Sequence, residues 1–438
     1  MNSLPPISTS DCTQRRRGRF ARFYGQTPLF AWLLGAGAAV LLEHLLGEAF
    51  AGLVGLSKVP VLFGLMILLS TPLHFPGALL YVVVIYLLPL LCIAGLLARP
   101  ANQAAAFFLR VGPAFAVIVH LSLFYAVLHF WADISGYREL TVKFTLIAVL
   151  LTLSLNLING YMGEFSCSHP GFMALGAYGA SIFTLTLFVN NPLFGKALLP
   201  EFLGPWLFPL GLVFGGLLAE LGAMLIAIPS FKTRGDYLAI ISLAFLFIVK
   251  SLLENLPFLG GPRGMGSQPD YAGLPVVFAW TALGVWIMNN YVRSTLGKSL
   301  NAIRDDEAAA EAMSVDTRHT KMTAFMFAAF WAGVAGGLFA HVMRFINPAT
   351  FGVQRLAEML AMVYFGGLNS VYGSIVGAVS LNLLGEALRP LELFKWIFIP
   401  LLLILVMIFR PTGLLAFKEF DAVRLVRPRD RDTSGDAP

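Results

Sequence analysis

Arg304-Asp305-Asp306-Glu307-Ala308-Ala309-Ala310-Glu311-Ala312-Met313-Ser314 lies in the longest strongly polar run of an otherwise apolar chain. One hydrophobic segment ends before this region, near Asn290, and another begins after it, near Thr320. Asp305, Asp306 and Glu307 favour the N-terminal end of a helix, and alanine is the strongest helix former. Ala308 and Ala312 fall four apart, as do Ala309 and Met313, so one helix face is small and apolar. A polar, alanine-rich helix between two membrane spans sits in water. A solvated connector has no need of a small apolar face, whereas a helix seated in another protein's groove does. The pattern therefore favours a docking helix over a connector.

The surrounding composition places the chain in a bilayer. Its 438 residues are 58% hydrophobic and 12% charged, with a mean hydropathy of +0.77. A soluble domain carries about 25% charged residues. Apolar windows of roughly 20 residues recur from end to end. Backbone exposed to lipid must satisfy its own hydrogen bonds, so the expected fold is all-α, a polytopic transmembrane helical bundle. The strand alternation of a membrane barrel is absent. The net charge of +6 raises the question of nucleic acid. Lys and Arg gather in the cytoplasmic loops of membrane proteins, so lipid is the expected surrounding and no nucleic-acid partner is implied. Cys12, Cys92 and Cys167 form no CxxC and have no His at metal-ligand spacing, so neither disulfide nor metal is expected.

Residues 1–27 read as a cytoplasmic basic arm carrying Arg15, Arg16, Arg17 and Arg19, rather than as a signal peptide. Apolar segments follow at 28–46, 52–72, 77–98 and 111–131, then at 140–160, 165–189, 207–229 and 236–254. The last are 273–292, 320–343, 356–389 and 394–410, before a polar, cytoplasmic tail over 417–438. Lys232 and Arg234, the cations of 293–319, the tail, and Arg99 with Arg110 flanking a loop should face the cytoplasm. Loop 255–272, with one arginine, should face outward. One pass per segment leaves the N-terminal arm on the wrong side. Either 28–46 lies in the interface, since Glu43 and His44 are costly in lipid, or the chain turns back inside the membrane near 160–175. Segment 356–389 must cross twice, with its natural break at Gly366-Gly367-Leu368-Asn369-Ser370.

Each half of the core thus contains a broken or re-entrant segment. The first runs from Asn156 and Asn159 through Gly160, Gly163, Glu164, Ser166, Ser168, His169 and Pro170 to Gly176 and Tyr178. Proline and glycine weaken helix there, and broken helices in membranes line cavities or bury their backbone in protein. The second holds Glu358, Asn369 and Ser370. Paired interruptions point to a midplane solute site between structural repeats, and tight packing of small residues is the competing explanation. Asn156, Asn159, Ser166, Ser168, His169, Tyr178, Glu358, Asn369 and Ser370 are therefore candidates for a translocation path, with Glu220 the deepest intramembrane charge. His169 alone reads more readily as a loop or hydrogen-bonded structural residue than as a proton relay. No carboxylate array of the proton-pump kind is present, which disfavours the alternative of an ion-coupled secondary transporter of a small organic solute. Catalytic motifs are absent. Gly297-Lys298-Ser299 ends like a P-loop, but Val292 stands where its first glycine belongs. Gly261 to Gly266 follows no strand. No cofactor is implied.

Several separated stretches carry a family resemblance. Arg293-Ser294-Thr295-Leu296-Gly297 through Ile303-Arg304-Asp305-Asp306-Glu307-Ala308-Ala309 resembles the EAA-type coupling loop of ABC importer permeases, most of all the LivM type of branched-chain amino acid importers. Arg234-Gly235-Asp236-Tyr237-Leu238-Ala239-Ile240, Gly260-Gly261-Pro262-Arg263-Gly264, Gly176-Ala177-Tyr178 and Phe409-Arg410-Pro411-Thr412-Gly413 resemble further motifs of the same family, in order. The match covers about 140–416, with 28–139 as additional N-terminal membrane segments. The resemblance implies a multi-pass permease of the bacterial inner (plasma) membrane moving branched-chain amino acids or a related small polar solute. It implies a LivH-like second permease, two cytoplasmic ATP-binding subunits and a periplasmic solute-binding protein. It places Glu307, Ala308 and Ala309 on the helix inserted into an ATPase, with Arg304, Asp305 and Asp306 lining the contact. Two departures stand out. Ser314 occupies the position of a family glycine, where a left-handed helix stop is expected to cost a non-glycine residue about 1 kcal/mol. Glu164 to Pro170 replaces residues that are small and apolar in typical members.

Overall fold

The computed structural model describes residues 27–56, 59–60, 71–190, 195–231, 237–410 and 412–429. The basic arm, most of segment 52–72, residues 232–236 of the Arg-Gly-Asp motif, Pro411 and the end of the tail lie outside the described residues. The chain divides into two compact units, Met1–Ile134 with Asp421–Pro438, and Ser135–Phe420.

In the first unit, α1 spans Leu29–Leu53 and α2 spans Phe75–Leu96 with a π-helical turn over Val82–Leu87. Next come α3, Ala98–Val111, and α4, Pro113–Asp133. Helices α1, α2 and α4 are long and apolar enough to cross a membrane. For α1 the charge at Glu43 is accommodated by burial: the phenols of Tyr81, at 3.4 Å, and Tyr86 donate to its carboxylate. The interval between Arg99 and Arg110, expected to be a loop, is instead the amphipathic α3, which buries Ala101 and Ala105 and leaves both arginines exposed. The extended Gly112 and the proline at the first turn of α4 separate the two helices.

In the second unit, α5 is Gly136–Asn156, prolonged by a π-helical turn, Leu157–Met162. Helices α6 (His169–Phe188), α7 (Gly204–Ser230), α8 (Tyr237–Asn255) and α9 (Leu274–Arg293) follow. The polar run forms α10 (Thr295–Asp305) and α11 (Glu307–Ala312), before α12 (Thr317–Met343). The unit closes with α13 (Val353–Gly366), α14 (Val371–Ala387) and α15 (Glu392–Phe409). The helical, polytopic reading of the sequence is borne out.

The centre of this unit is a three-helix crossing of α6, α7 and α12. A Cβ on Gly176 would lie 2.1 Å from the Gly333 carbonyl oxygen, and one on Gly215 would lie 2.5 Å from that of Gly176. Lipid tails supply no hydrophobic drive between helices, so close backbone approach is what holds such a crossing. For Gly176 the packing explanation therefore prevails over a pathway role. Helix α6 runs parallel to α12, with Thr184 Oγ1 2.9 Å from His341 Nε2 further along. Helix α5 runs parallel to α9, where Thr281 Oγ1 donates to the Leu146 carbonyl at 3.3 Å and a Gly284 Cβ would meet Leu150.

The stretch near 160–175 joins two full-length helices rather than dipping as a hairpin. Its irregular part is 163–168, and α5 and α6 are each long enough to span. The break in 356–389 falls at 367–370, where Ser370 Oγ accepts from the Gly373 amide at 3.1 Å and caps α14. The loop after α8 packs inward: Met265–Gly266 pairs antiparallel with Phe345–Ile346, and buried Gln268 approaches Ser181 of α6.

Candidate coupling and translocation site

The polar run folds as its composition dictates. Asp306, in extended conformation, caps α11 by accepting from the Ala309 amide at 3.0 Å. Ala308, Ala309 and Glu311 face solvent, Ala310 is buried, and Met313 is 80% exposed. The exit is a Schellman turn. The Ser314 amide donates to Glu311 O at 2.9 Å and the Val315 amide to Ala310 O at 3.1 Å. Ser314 takes the left-handed conformation, φ 66°, that its family position requires. The turn keeps the glycine geometry and absorbs the strain. Ser314→Gly should therefore stabilise the chain by about 1 kcal/mol, read as a higher thermal unfolding midpoint in detergent.

Glu307 has a second role that sequence reasoning missed. Its carboxylate lies 2.9 Å from Lys321 Nζ, and the same ammonium lies 2.8 Å from Glu164. Lys321 sits in the first turns of α12, capped by Asp316, and only 7% of it is exposed. One buried cation thus ties the exposed helix α11 to the irregular stretch after α5. The available signal was a lone lysine at the head of an apolar helix, together with the unusual Glu164. Arg304 makes a parallel link: it pairs with Asp305 at 2.7 Å, reaches Gly160 O at 3.4 Å and lies 5.5 Å from the Phe417 ring. Gly163, at φ 78°, has no room for a Cβ because the Arg304 side chain would be 2.5 Å away.

The two interrupted segments come together. Asn156 is fully buried on α5. Its Nδ2 donates to Gly367 O at 3.3 Å, Ser370 O at 3.1 Å and Ser374 Oγ at 2.7 Å. Its Oδ1 accepts from the Asn369 amide at 3.2 Å. Asn156, Asn369 and Ser370 therefore form one cluster, in which Asn156 holds the α13–α14 break in place. Asn159 Oδ1 accepts from the Ser166 amide, and the hydroxyls of Ser166 and Ser168 lie 2.9 Å apart. The neighbouring Cys167 amide donates to Ser242 of α8 at 2.9 Å, and burial pushes the Cys167 thiol pKa up. His169 is fully buried at the start of α6, its ring against Phe172. Tyr178 is buried further along α6, edge-on to Phe351.

Glu220 and Glu358 lie apart from this cluster. Glu220 is partly buried on α7, and among the described residues it has no ion-pair partner. Glu358 pairs with Arg355 at 3.0 Å. Glu358 and Arg355, but not Glu220, line a cavity of about 370 Å³ between α5, α12, α13 and α14, with Asn382 and Glu386 also on its wall. Among the described residues no group of three His, Cys, Asp or Glu side chains is placed to hold a metal.

Comparison with known proteins shows the family. Residues 137–409 match the family model described as branched-chain amino acid transport system / permease component. The high-affinity branched-chain amino acid transport system permease protein LivM of Escherichia coli is 31% identical over 306 residues, 62% of this chain and 68% of the relative. LivM of Salmonella typhimurium is 30% identical over 328 residues, 67% and 71% of the two chains. LivH of Escherichia coli, a permease of the same named system, is 29% identical over 152 residues, 34% and 49% of the two chains. No solved structure matches the chain. Match and fold together make this a multi-pass membrane permease rather than an enzyme, and the chain belongs to the branched-chain amino acid transport permease family of ABC importers.

Proposed function

We propose that this chain is the LivM-like half of a permease pair in a bacterial inner membrane, importing branched-chain amino acids or a related small polar solute. A LivH-like permease completes the pair. One of two cytoplasmic ATP-binding subunits grips α10 and α11 of this chain, and a periplasmic binding protein delivers the solute. Residues 140–416 carry transport, 28–139 add membrane segments, and 1–27 and 417–438 face the cytoplasm. One observation supports the reading most directly. Helix α11 presents Ala308, Ala309 and Met313 to solvent while Lys321 anchors it to the membrane-embedded part. A small exposed face on a held helix suits insertion into a groove, where bulk or charge cannot be accommodated.

Ala309→Arg should leave membrane insertion intact and remove the ATP-binding subunit from the copurified complex. A buried, unpaired charge at the contact costs several kcal/mol, so binding and leucine uptake should each fall by well over about tenfold. Normal uptake with a retained ATP-binding subunit would overturn the assignment of this helix.

A further inference from the structure

We infer that one end of the first unit is a binding surface for anionic phospholipid headgroups, formed by α3 together with the C-terminal tail. The surface lies outside residues 137–409, the part that matches the transport family. It gives a role to a region that the permease reading leaves as added membrane segments.

Helix α3 is fixed at the bilayer surface by its connections. Leu97 alone joins it to α2 and Gly112 alone joins it to α4, and both of those helices are long and apolar enough to cross a membrane. Its faces suit that position. At about 100° per residue, Arg99, Gln103 and Arg110 fall within about 40° of one another, and Phe107 and Val111 lie about 40–80° further round. All five are exposed, Phe107 to 61% and Val111 to 58%. The opposite face buries Ala101 and Ala105. A cationic arc beside exposed apolar side chains is the pattern of a helix lying in the interface, with its cations at headgroup level and its apolar groups toward the acyl chains. Phe108 turns inward instead, its ring edge-on to Phe30 at the start of α1 and to His120 of α4.

The tail extends the same surface. Asp421 caps a short helix, α16 (Ala422–Val426), by accepting from the Val423 and Arg424 amides at 2.9 and 3.2 Å. Helix α16 packs against α1 and α4 and buries Val426. Beyond it, the Arg429 amide donates to Asn102 Oδ1 of α3 at 3.0 Å. That bond brings Arg424, Arg427 and Arg429 to the helix that carries Arg99 and Arg110. All five arginines are exposed, and among the described residues none has a carboxylate within ion-pairing distance. Uncompensated cations gathered at a membrane surface are relieved by anionic headgroups, and each arginine there favours anionic lipid by about fivefold. An acidic protein would match the charge as well. The two single-residue joints favour lipid, because they hold α3 at headgroup depth. On the permease reading this end is cytoplasmic, but the preference for anionic lipid does not depend on the side.

The test uses the full-length chain with Cys12, Cys92 and Cys167 replaced by serine and with Gln103→Cys carrying a fluorophore. The chain is placed in nanodiscs of equal parts phosphatidylcholine and phosphatidylglycerol, with brominated acyl chains on one lipid or on the other. Quenching should give a lipid-binding preference of about fivefold or more for phosphatidylglycerol, weakened by high salt. Arg99→Gln, Arg110→Gln, Arg424→Gln, Arg427→Gln and Arg429→Gln together should abolish the preference, and the same five positions changed to lysine should keep it. The two α3 substitutions alone, and the three tail substitutions alone, should each remove part of it, so the answer does not rest on one variant. Equal quenching by the two brominated lipids would overturn the surface, as would a preference that survives all five glutamines or is lost with the lysines. Equal quenching together with loss of a copurifying ATP-binding subunit in the glutamine variant would assign the arginines to a protein partner instead. Quenching involves neither uptake nor the ATP-binding subunits, so its failure is distinguishable from failure of the importer reading.

Discussion

Lys321→Met should insert into the membrane, purify with reduced stability and take up solute at less than about a tenth of the normal rate. Lys321 is 7% exposed, and its ammonium lies within 2.9 Å of both Glu164 and Glu307. Removing it leaves two carboxylates facing each other across a space that no cation fills. A fully buried pair broken in this way loses about 3–5 kcal/mol. Here the Glu307 side chain is 47% exposed and that of Glu164 27% exposed, so water screens part of the repulsion. The expected loss is nearer about 2 kcal/mol, read from the thermal midpoint in detergent. The larger effect is functional. Lys321 ties α11 to the irregular stretch that follows α5, and without it a push on α11 has one fewer route into the membrane. Lys321→Arg, which keeps the charge, should retain most uptake. Lys321→Met with Glu164→Gln should recover stability but not uptake, since the repulsion is relieved and the link is still missing. Normal uptake in Lys321→Met would show that the tie carries no coupling.

That pair of effects shows what a sequence can and cannot display. The helix α11, its Asp306 cap and its left-handed exit at Ser314 are local, and the residues between 304 and 315 contain nearly all the forces that shape them. The partnership of Glu164 with Lys321 is not local. It exists because α6 and α12 cross in parallel through Gly176 and Gly333, a contact that no short window reveals. Glu164 was visible as an oddity and Lys321 as a basic residue, but only the crossing brings them together. The interval between Arg99 and Arg110 departs from the expected loop for a related reason. Its two arginines suggested a loop, whereas its alanines, spaced for one helix face, carry α3. The broken segments were legible because glycine, proline and asparagine mark irregular backbone wherever they cluster. Their roles were not. Asn156 looked like a polar residue available to solute, and its hydrogen-bonding groups turn out to be engaged by the other break.

Asn156→Leu should therefore be the most damaging single substitution in the second unit, by preventing folding rather than by blocking transport. Leucine shares asparagine's branching at Cγ but is bulkier and offers no polar atom. The Asn369 amide and the Gly367 carbonyl would lose Asn156 as a partner, and Ser374 Oγ would lose its donor. The Ser370 carbonyl still accepts from Ser374, so its loss is smaller. Each orphaned buried group costs about 1–3 kcal/mol, so the three together cost roughly 3–9 kcal/mol. That is a large fraction of the stability of an ordinary folded domain. Asn156→Asp should be nearly as harmful. It keeps the acceptor for Asn369 but turns a carboxylate oxygen toward the Gly367 and Ser370 carbonyls. Asn156→Ala should be milder, because the vacated space can admit a water that bonds some of the same groups. Ser374→Ala removes one bond and should cost about 1 kcal/mol. The measurement is the monodisperse fraction of a fluorescent fusion after detergent extraction, followed by its thermal midpoint. The order leucine, aspartate, alanine, then Ser374→Ala is the specific expectation. Equal tolerance of leucine and alanine would mean that the break is held by packing alone. Retention of the order would mean that α5 and the break move as one body.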